Sequence, residues 1–183
     1  MSKQFFDHIN KYVAVSTKEF EEIMRFFDHR TVHKKEMLME AQTHCTNTYF
    51  VLQGCLHMFF TADRGTERTV QFAIENWWLA DFLAFGNRSI SHFSIQAVEK
   101  TQLLTQSHEQ HDALLEQFPQ MERYFRFIYQ IGYGASLNKM RYLMDFSKED
   151  SYFHFIEQFP AFAQRVPQKL IASFLGLTPE YVS

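Results

Sequence analysis

The stretch that most constrains this chain is its last one, Arg165-Val-Pro-Gln-Lys-Leu-Ile-Ala-Ser-Phe-Leu-Gly-Leu-Thr-Pro-Glu-Tyr-Val-Ser183, which reads as two helices joined by a tight turn. Pro167 suits a first helical position, where its missing N–H costs nothing. Ile171, Phe174 and Leu175 then recur at helical spacing until Gly176 supplies a left-handed turn. A second start signal follows at once: Thr178 can cap, Pro179 fits the first turn, and Glu180 favours the positive end of the helix dipole. Small Ala172 lets two helices cross closely, and Val182 can face back onto Ile171. The order predicts a helix-turn-helix, with two helices of an ordinary bundle as the plainer alternative. By position, Gln168 and Lys169 on the first helix and Thr178, Glu180, Tyr181 and Ser183 on the second are the candidates for DNA contact.

This segment closely resembles the C-terminal helix-turn-helix of the Crp/Fnr family of bacterial transcription regulators, in the branch carrying Arg-Val-Pro-Gln-Lys-x-Ile-Ala-Ser-x-Leu-Gly. The sequence departs from that pattern at its end. It stops after the first turn of what would be the recognition helix, where family members continue with several basic residues. The expectation is that the chain is truncated here or that its end is omitted. The resemblance implies duplex operator DNA and a second copy of the chain as partners, with RNA polymerase as a further one.

With 183 residues the chain can hold one good-sized core plus a small appended domain. Its 21 phenylalanines are read as packing rather than as a stacking surface for single-stranded nucleic acid. The formal net charge of −3 argues weakly against nucleic-acid binding, which favours a basic patch. Two cysteines, Cys45 and Cys55, are too few for a disulfide scaffold and lack metal-site spacing. A reduced, cytoplasmic setting fits them. The first residues mix charges, which excludes a secretory signal, and no apolar run is long enough to span a membrane.

Ser16-Thr-Lys-Glu19 matches a capping box and opens an amphipathic helix through Phe20, Ile23, Met24 and Phe27, ending near Asp28. From Thr31 to about Thr105 the pattern changes to short runs: Tyr49-Phe-Val-Leu, Leu56-His-Met-Phe-Phe, Thr69-Val-Gln-Phe-Ala-Ile and Phe93-Ser-Ile-Gln-Ala-Val. Turn signals at Gln53-Gly54 and Asp63-Arg-Gly65 separate them, predicting an antiparallel sandwich or barrel. The run from Tyr49 through Gly54 to Leu56, with Gly65-Thr-Glu67 after it, is similar to the Crp/Fnr sensor domain. That likeness implies an α+β chain with a double-stranded β-helix (jelly-roll-like) roll of the cyclic-nucleotide-binding type.

Gln106 to Phe118 reads as a short helical connector, and Pro119 opens a long helix through about Phe146. Met121, Tyr124, Ile128, Ile131 and Ala135 form a heptad-like stripe on it. Gly132 and Gly134 weaken the helix by about 1 kcal/mol each and could admit a close backbone. On pattern alone the stripe serves a monomer core as well as a partner; the resemblance favours homodimerisation through all five residues. Ser147 to Asp150 marks a break, Tyr152 to Phe159 a further helix and Pro160 its end. The expected division is a roll with its N-terminal helix over 1–118, a dimerisation helix over 119–146 and a partial DNA-binding domain over 147–183.

In family members that bind cyclic nucleotides, Gly-Glu followed by Arg-Ser holds the ribose and the cyclic phosphate. A buried phosphate is costly unless paired, and an arginine fork pairs it best. Laid on that cassette without gaps, Ala80-Asp81 takes the Gly-Glu position and Ser91-His92 the Arg-Ser position. Asp81 keeps a carboxylate, His92 carries at most partial positive charge, and Arg88 stands on a nearby loop. The arginine is missing, so cyclic AMP is not expected to bind. Ala80, Asp81, Phe82, Arg88, Ser91 and His92 remain candidates for some other ligand, or for plain packing.

His108-Glu-Gln-His111 sets two imidazoles a helical turn apart without a third ligand, so exposed surface histidines are expected and no metal. Glu109 beside them lacks the nucleophile and oxyanion donors that hydrolysis needs. No cofactor and no enzymatic activity is expected. The leading reading is a Crp/Fnr-type regulator of unknown effector. The alternative is a small-molecule-binding roll or dimeric scaffold whose terminal helices only pack.

Overall fold

The computed structural model describes residues 2–63 and 65–177. Among the described residues eight strands form two antiparallel four-stranded sheets. In chain order the strands are β1 (Asp28–Val32), β2 (Met37–Met39), β3 (Asn47–Gln53), β4 (Leu56–Thr61), β5 (Glu67–Ala73), β6 (Trp78–Leu79), β7 (Ser94–Ala97) and β8 (Thr101–Ser107). One sheet runs β1-β8-β3-β6 and the other β2-β7-β4-β5, so sequence neighbours cross between sheets everywhere but at the β4–β5 hairpin. Around them lie α1 (Lys3–Asn10), α2 (Thr17–Ile23), α3 (Phe82–Asn87), α4 (His108–Gln117), α5 (Gln120–Asp145), α6 (Lys148–Gln158), α7 (Pro160–Arg165) and α8 (Gln168–Phe174). The fold is mixed α+β.

The apolar runs have a simple cause in the first sheet: both of its faces are covered. Along β3, Tyr49 and Val51 point between the sheets, whereas Phe50 points outward into a second core. Leu103 and Leu104 on β8 and Leu79 and Trp78 on β6 divide the same way. The outward core is aromatic. Phe5 of α1, Phe20 of α2, Phe27, Phe50, Trp78 and Tyr124 and Phe125 of α5 meet there at centroid separations of 4.7 to 6.5 Å, and each such side chain contributes about 1.5–3 kcal/mol through burial alone. At its centre Trp78 Nε1–H donates to the Tyr124 hydroxyl at 2.8 Å, and that hydroxyl lies 2.9 Å from His8 Nδ1. Indole can only donate, so the tyrosine oxygen accepts there and its own proton is available to the unprotonated Nδ1 of a neutral His8. Burial first, then the Lys11 charge, pushes His8 down to about 4, in agreement.

Gly54 is required where it stands. It turns β3 into β4 at φ +111°, and a Cβ there would lie 2.5 Å from Thr101 Oγ1 and 2.7 Å from Thr101 Cα. The capping box at Ser16 forms, with Glu19 N–H donating to Ser16 Oγ and Ser16 N–H to Glu19 Oε2. The second sheet ends in β5, and its outer face carries the C-terminal helices.

Candidate functional site

Three places were singled out by the sequence: the cassette at 80–92, the stripe on α5, and the terminal helices. The cassette sits where β6 runs into α3. Asp81 is the N-cap of α3: its Oδ1 accepts the Ala84 N–H at 3.1 Å, and its Oδ2 accepts the Ser91 hydroxyl at 2.8 Å. Ser91, fully buried, also accepts the Phe93 N–H at 3.0 Å. Ala80 is buried beside them and Phe82 packs edge-on against Tyr129. Thus four of the six residues converge. The other two turn away: Arg88, in a left-handed conformation that closes α3, pairs with Asp112 of α4, and His92 meets the Gln42 side chain at the surface. Both carboxylate oxygens of Asp81 are already engaged within the chain, and among the described residues no guanidinium bonds to Ser91.

The thiol near this corner is inert. Burial, then the Asp81 charge, raises Cys45 to about 11; burial above all raises Cys55 to about 12, so neither is a thiolate near neutrality. His108 and His111 are not exposed as expected. His108 stacks on Phe85 at 4.2 Å, and His111 bonds Gln106 while its ring packs on Phe85 and Phe125. They fill the seam between α3, α4 and α5 because imidazole packs as a flat, mostly apolar ring. Among the described residues no group of three His, Cys, Asp or Glu side chains is placed to hold a metal.

The α5 stripe splits in two. Met121, Tyr124 and Ile128, expected at a dimer interface, are buried in the aromatic core of their own chain. A residue enclosed by its own fold offers no surface to a partner, so these three are corrected to core. Ile131 and Ala135 are exposed. Past Ile128 a different set of apolar side chains meets water: Tyr133, Leu137, Met140 and Met144 are 69, 47, 54 and 78% exposed. At 100° per residue these four fall within about 60° of one another, on the side of α5 facing away from the roll.

The helix expected after Pro167 forms as α8, with Gly176 at φ +72° after it, whereas Pro160, expected only to end a helix, also opens α7, whose first turn has no use for the missing N–H. Gln168 and Lys169 stand exposed at the start of α8. Thr178, Glu180, Tyr181 and Ser183 lie outside the described residues. Ile171, Ala172, Leu175 and Leu177 are buried with Tyr152, Val166, Cys55 and Val98, so the helices share one core with the roll. The attachment is polar as well as apolar. Ser173 Oγ accepts the Thr69 N–H at 2.9 Å and donates to the Glu67 carbonyl at 3.1 Å, closing part of the outer edge of β5. Arg68 donates to the Leu177 carbonyl. Arg165 forks onto Glu75 at 2.9 and 3.0 Å and reaches Glu99 and the Gly54 carbonyl. Sequence reasoning missed this clamp, because its four participants come from four distant segments.

Comparison with known proteins agrees with this architecture. Residues 29–118 match the family model of the cyclic nucleotide-binding domain. A putative transcriptional regulator of the Crp/Fnr family from Eubacterium rectale is 18% identical, with 92% of this chain and 80% of that one covered at a TM-score of 0.73. FixK2 from Bradyrhizobium japonicum is 13% identical over 85% and 80%, with a TM-score of 0.72. The c-di-GMP responsive global regulator CLP of Xanthomonas campestris is 14% identical over 91% and 88%, with a TM-score of 0.71. No curated protein matches by sequence. At such identities the likeness is one of fold: the chain is built as Crp/Fnr-family regulators are.

Proposed function

We propose that the chain is a homodimeric, non-enzymatic, cytoplasmic transcription regulator that meets duplex DNA through the helical unit beginning near Ser147 and whose roll does not take cyclic AMP. The observation that carries this reading is the order of roll, long helix and terminal helical unit, held in common with Crp/Fnr-type regulators across most of both chains. The four exposed apolar residues from Tyr133 to Met144 support pairing with a second copy, since helix-turn-helix dimers read two half-sites about a turn apart. The Asp81–Ser91 bond supports the cyclic AMP statement: a phosphate brought there would displace a satisfied pair and find no cation.

One observation favours the second reading, a ligand-binding roll or scaffold. Between 150 and 177 the only Lys or Arg side chains are Arg165 and Lys169, and Arg165 is held by Glu75 and Glu99. Phosphate contacts give affinity, so this surface is poor in what DNA needs. Anisotropy titration of the full gene product against its own promoter region and against random duplex separates the two. Preferential binding to the promoter that weakens steeply with salt is the expected result. No binding to either duplex at low salt transfers the protein to the second reading.

A further inference from the structure

An apolar pocket bounded by described residues lies away from the cassette, where roll, long helix and terminal helices meet. It measures about 270 Å³. Phe72 and Ile74 of the β5 region form one wall, Gly132, Ala135 and Lys139 of α5 a second, and Phe155, Phe159, Phe162 and Phe174 of α6, α7 and α8 the third. Aromatic rings tile it: Phe72 meets Phe162 edge-on at 5.1 Å and Phe174 at 5.2 Å, and Phe155 meets Phe159 at 5.1 Å. A concave, largely apolar pocket lined by preformed rings with a few polar groups is the usual form of a small-molecule site, and here Gln71, Ser136 and Lys139 supply polar side chains among the rings.

The one charged side chain of this lining is Lys139. Its Nζ donates to the Val70 carbonyl at 2.9 Å and sits 3.7 Å over the centre of the Phe174 ring. It makes no ion pair among the described residues. Burial alone pushes it down to about 8, with no carboxylate to restore it. A lysine charge held in a largely apolar wall is expensive without an anion. Two of its donor directions are occupied, by the carbonyl and the ring face; an ammonium has three N–H groups.

We infer that this junction is a binding site for a small aromatic monocarboxylic acid, its ring among Phe72, Phe155, Phe162 and Phe174 and its carboxylate on the Lys139 ammonium. The volume lies just under the ~300–1,000 Å³ of typical ligand pockets, which limits the ligand to one or two rings. Aromatic walls favour a flat ring over a flexible chain, which would lose more rotamer freedom on binding. One acid group suffices, because one cation is present. A ligand there touches the roll, α5 and the terminal helices at once, so its affinity and the docking of α8 on β5 are linked and each must shift the other. The site stands independently of whether the protein binds DNA.

Calorimetry with benzoate, phenylacetate and indole-3-acetate, each beside its neutral amide, tests this directly on the full chain. At least one acid should bind once per chain, at least tenfold more tightly than its amide. Lys139→Met should bring the acid to the affinity of the amide and leave the amide unchanged, which separates loss of the charge from loss of the fold. Ala135→Phe, which adds a ring into the cavity from an exposed position, should weaken acid and amide alike by tenfold or more with no fall in melting temperature. Absence of saturable binding across the whole panel overturns the inference, as does equal affinity of acid and amide for the unaltered chain, or an Ala135→Phe variant that binds normally.

Discussion

The two halves of α5 carry apolar residues at the same helical period and use them in opposite ways. From Met121 to Ile128 they enter a core already lined by α1, α2 and the outer face of β3 and β6, and the one tyrosine hydroxyl there is answered on both sides by Trp78 and His8. From Tyr133 to Met144 the helix has outrun the roll's first sheet, and among the described residues the side turned away from the roll is left largely to solvent. Amphipathic spacing therefore says that a face will be covered, and the neighbouring elements decide by what.

The largest effect should come from charging the second half. Leu137→Glu with Met140→Glu places two carboxylates on the exposed stripe. Sedimentation equilibrium should then show self-association weakened at least about 100-fold, roughly 2.7 kcal/mol, with the melting temperature of the monomer unchanged. An unaltered chain that stays strictly monomeric at high micromolar concentration breaks the comparison, for the stripe then has no partner.

The first half should show itself in acid. Folded His8 titrates near 4, against 6.5 for the unfolded residue, so the unfolded chain takes up the proton first. The stability held by the neutral ring is complete above about pH 6.5 and is lost as pH falls through 4. Discounted for the ring's partial enclosure, the loss is about 2 kcal/mol. Denaturant titrations between pH 7 and 4 should show His8→Asn, which keeps an acceptor without the titration, losing less than the unaltered chain by that amount. Parallel curves would mean that Tyr124 does not require a neutral His8.

The smallest effect sharpens the boundary between the halves. A Cβ on Gly134 meets nothing within 4 Å, and helical glycine costs about 1 kcal/mol relative to alanine. Gly134→Ala should stabilise the chain by about 0.5–1 kcal/mol in urea titrations and leave self-association alone. A variant that loses association instead places the backbone of Gly134 inside the interface.

What the sequence discloses follows from how local each signal is. The ends of α5 are legible because Pro119 and Ser147 punctuate a 26-residue helix, and α8 because Pro167 and Gly176 bracket it. Strand β1 is missed: four of its five residues are exposed and Asp-His-Arg-Thr-Val has no alternation. So is α1, although Ser2 caps it and Phe5 and Ile9 share its buried face. In the cassette, the register that aligns Asp81 and Ser91 is visible in the chain, but that they bond to each other is not, since the nine residues of α3 and its loop fold back between them. The cavity around Lys139 is the least legible of all. Its walls come from five separate elements, and no single stretch carries a pattern for it.

The Ser173 hydroxyl has a further consequence for how the protein behaves in concentrated solution. β5 is the terminal strand of its sheet, and Ser173 answers one N–H and one carbonyl on the outer rim. An unguarded rim of seven residues is a template onto which another chain can add a strand. When α8 swings free, the roll therefore gains an adhesive border at the moment its terminal helices become available. The helix acts as a gatekeeper against aggregation, and any motion that mobilises it carries a solubility penalty that rises with protein concentration.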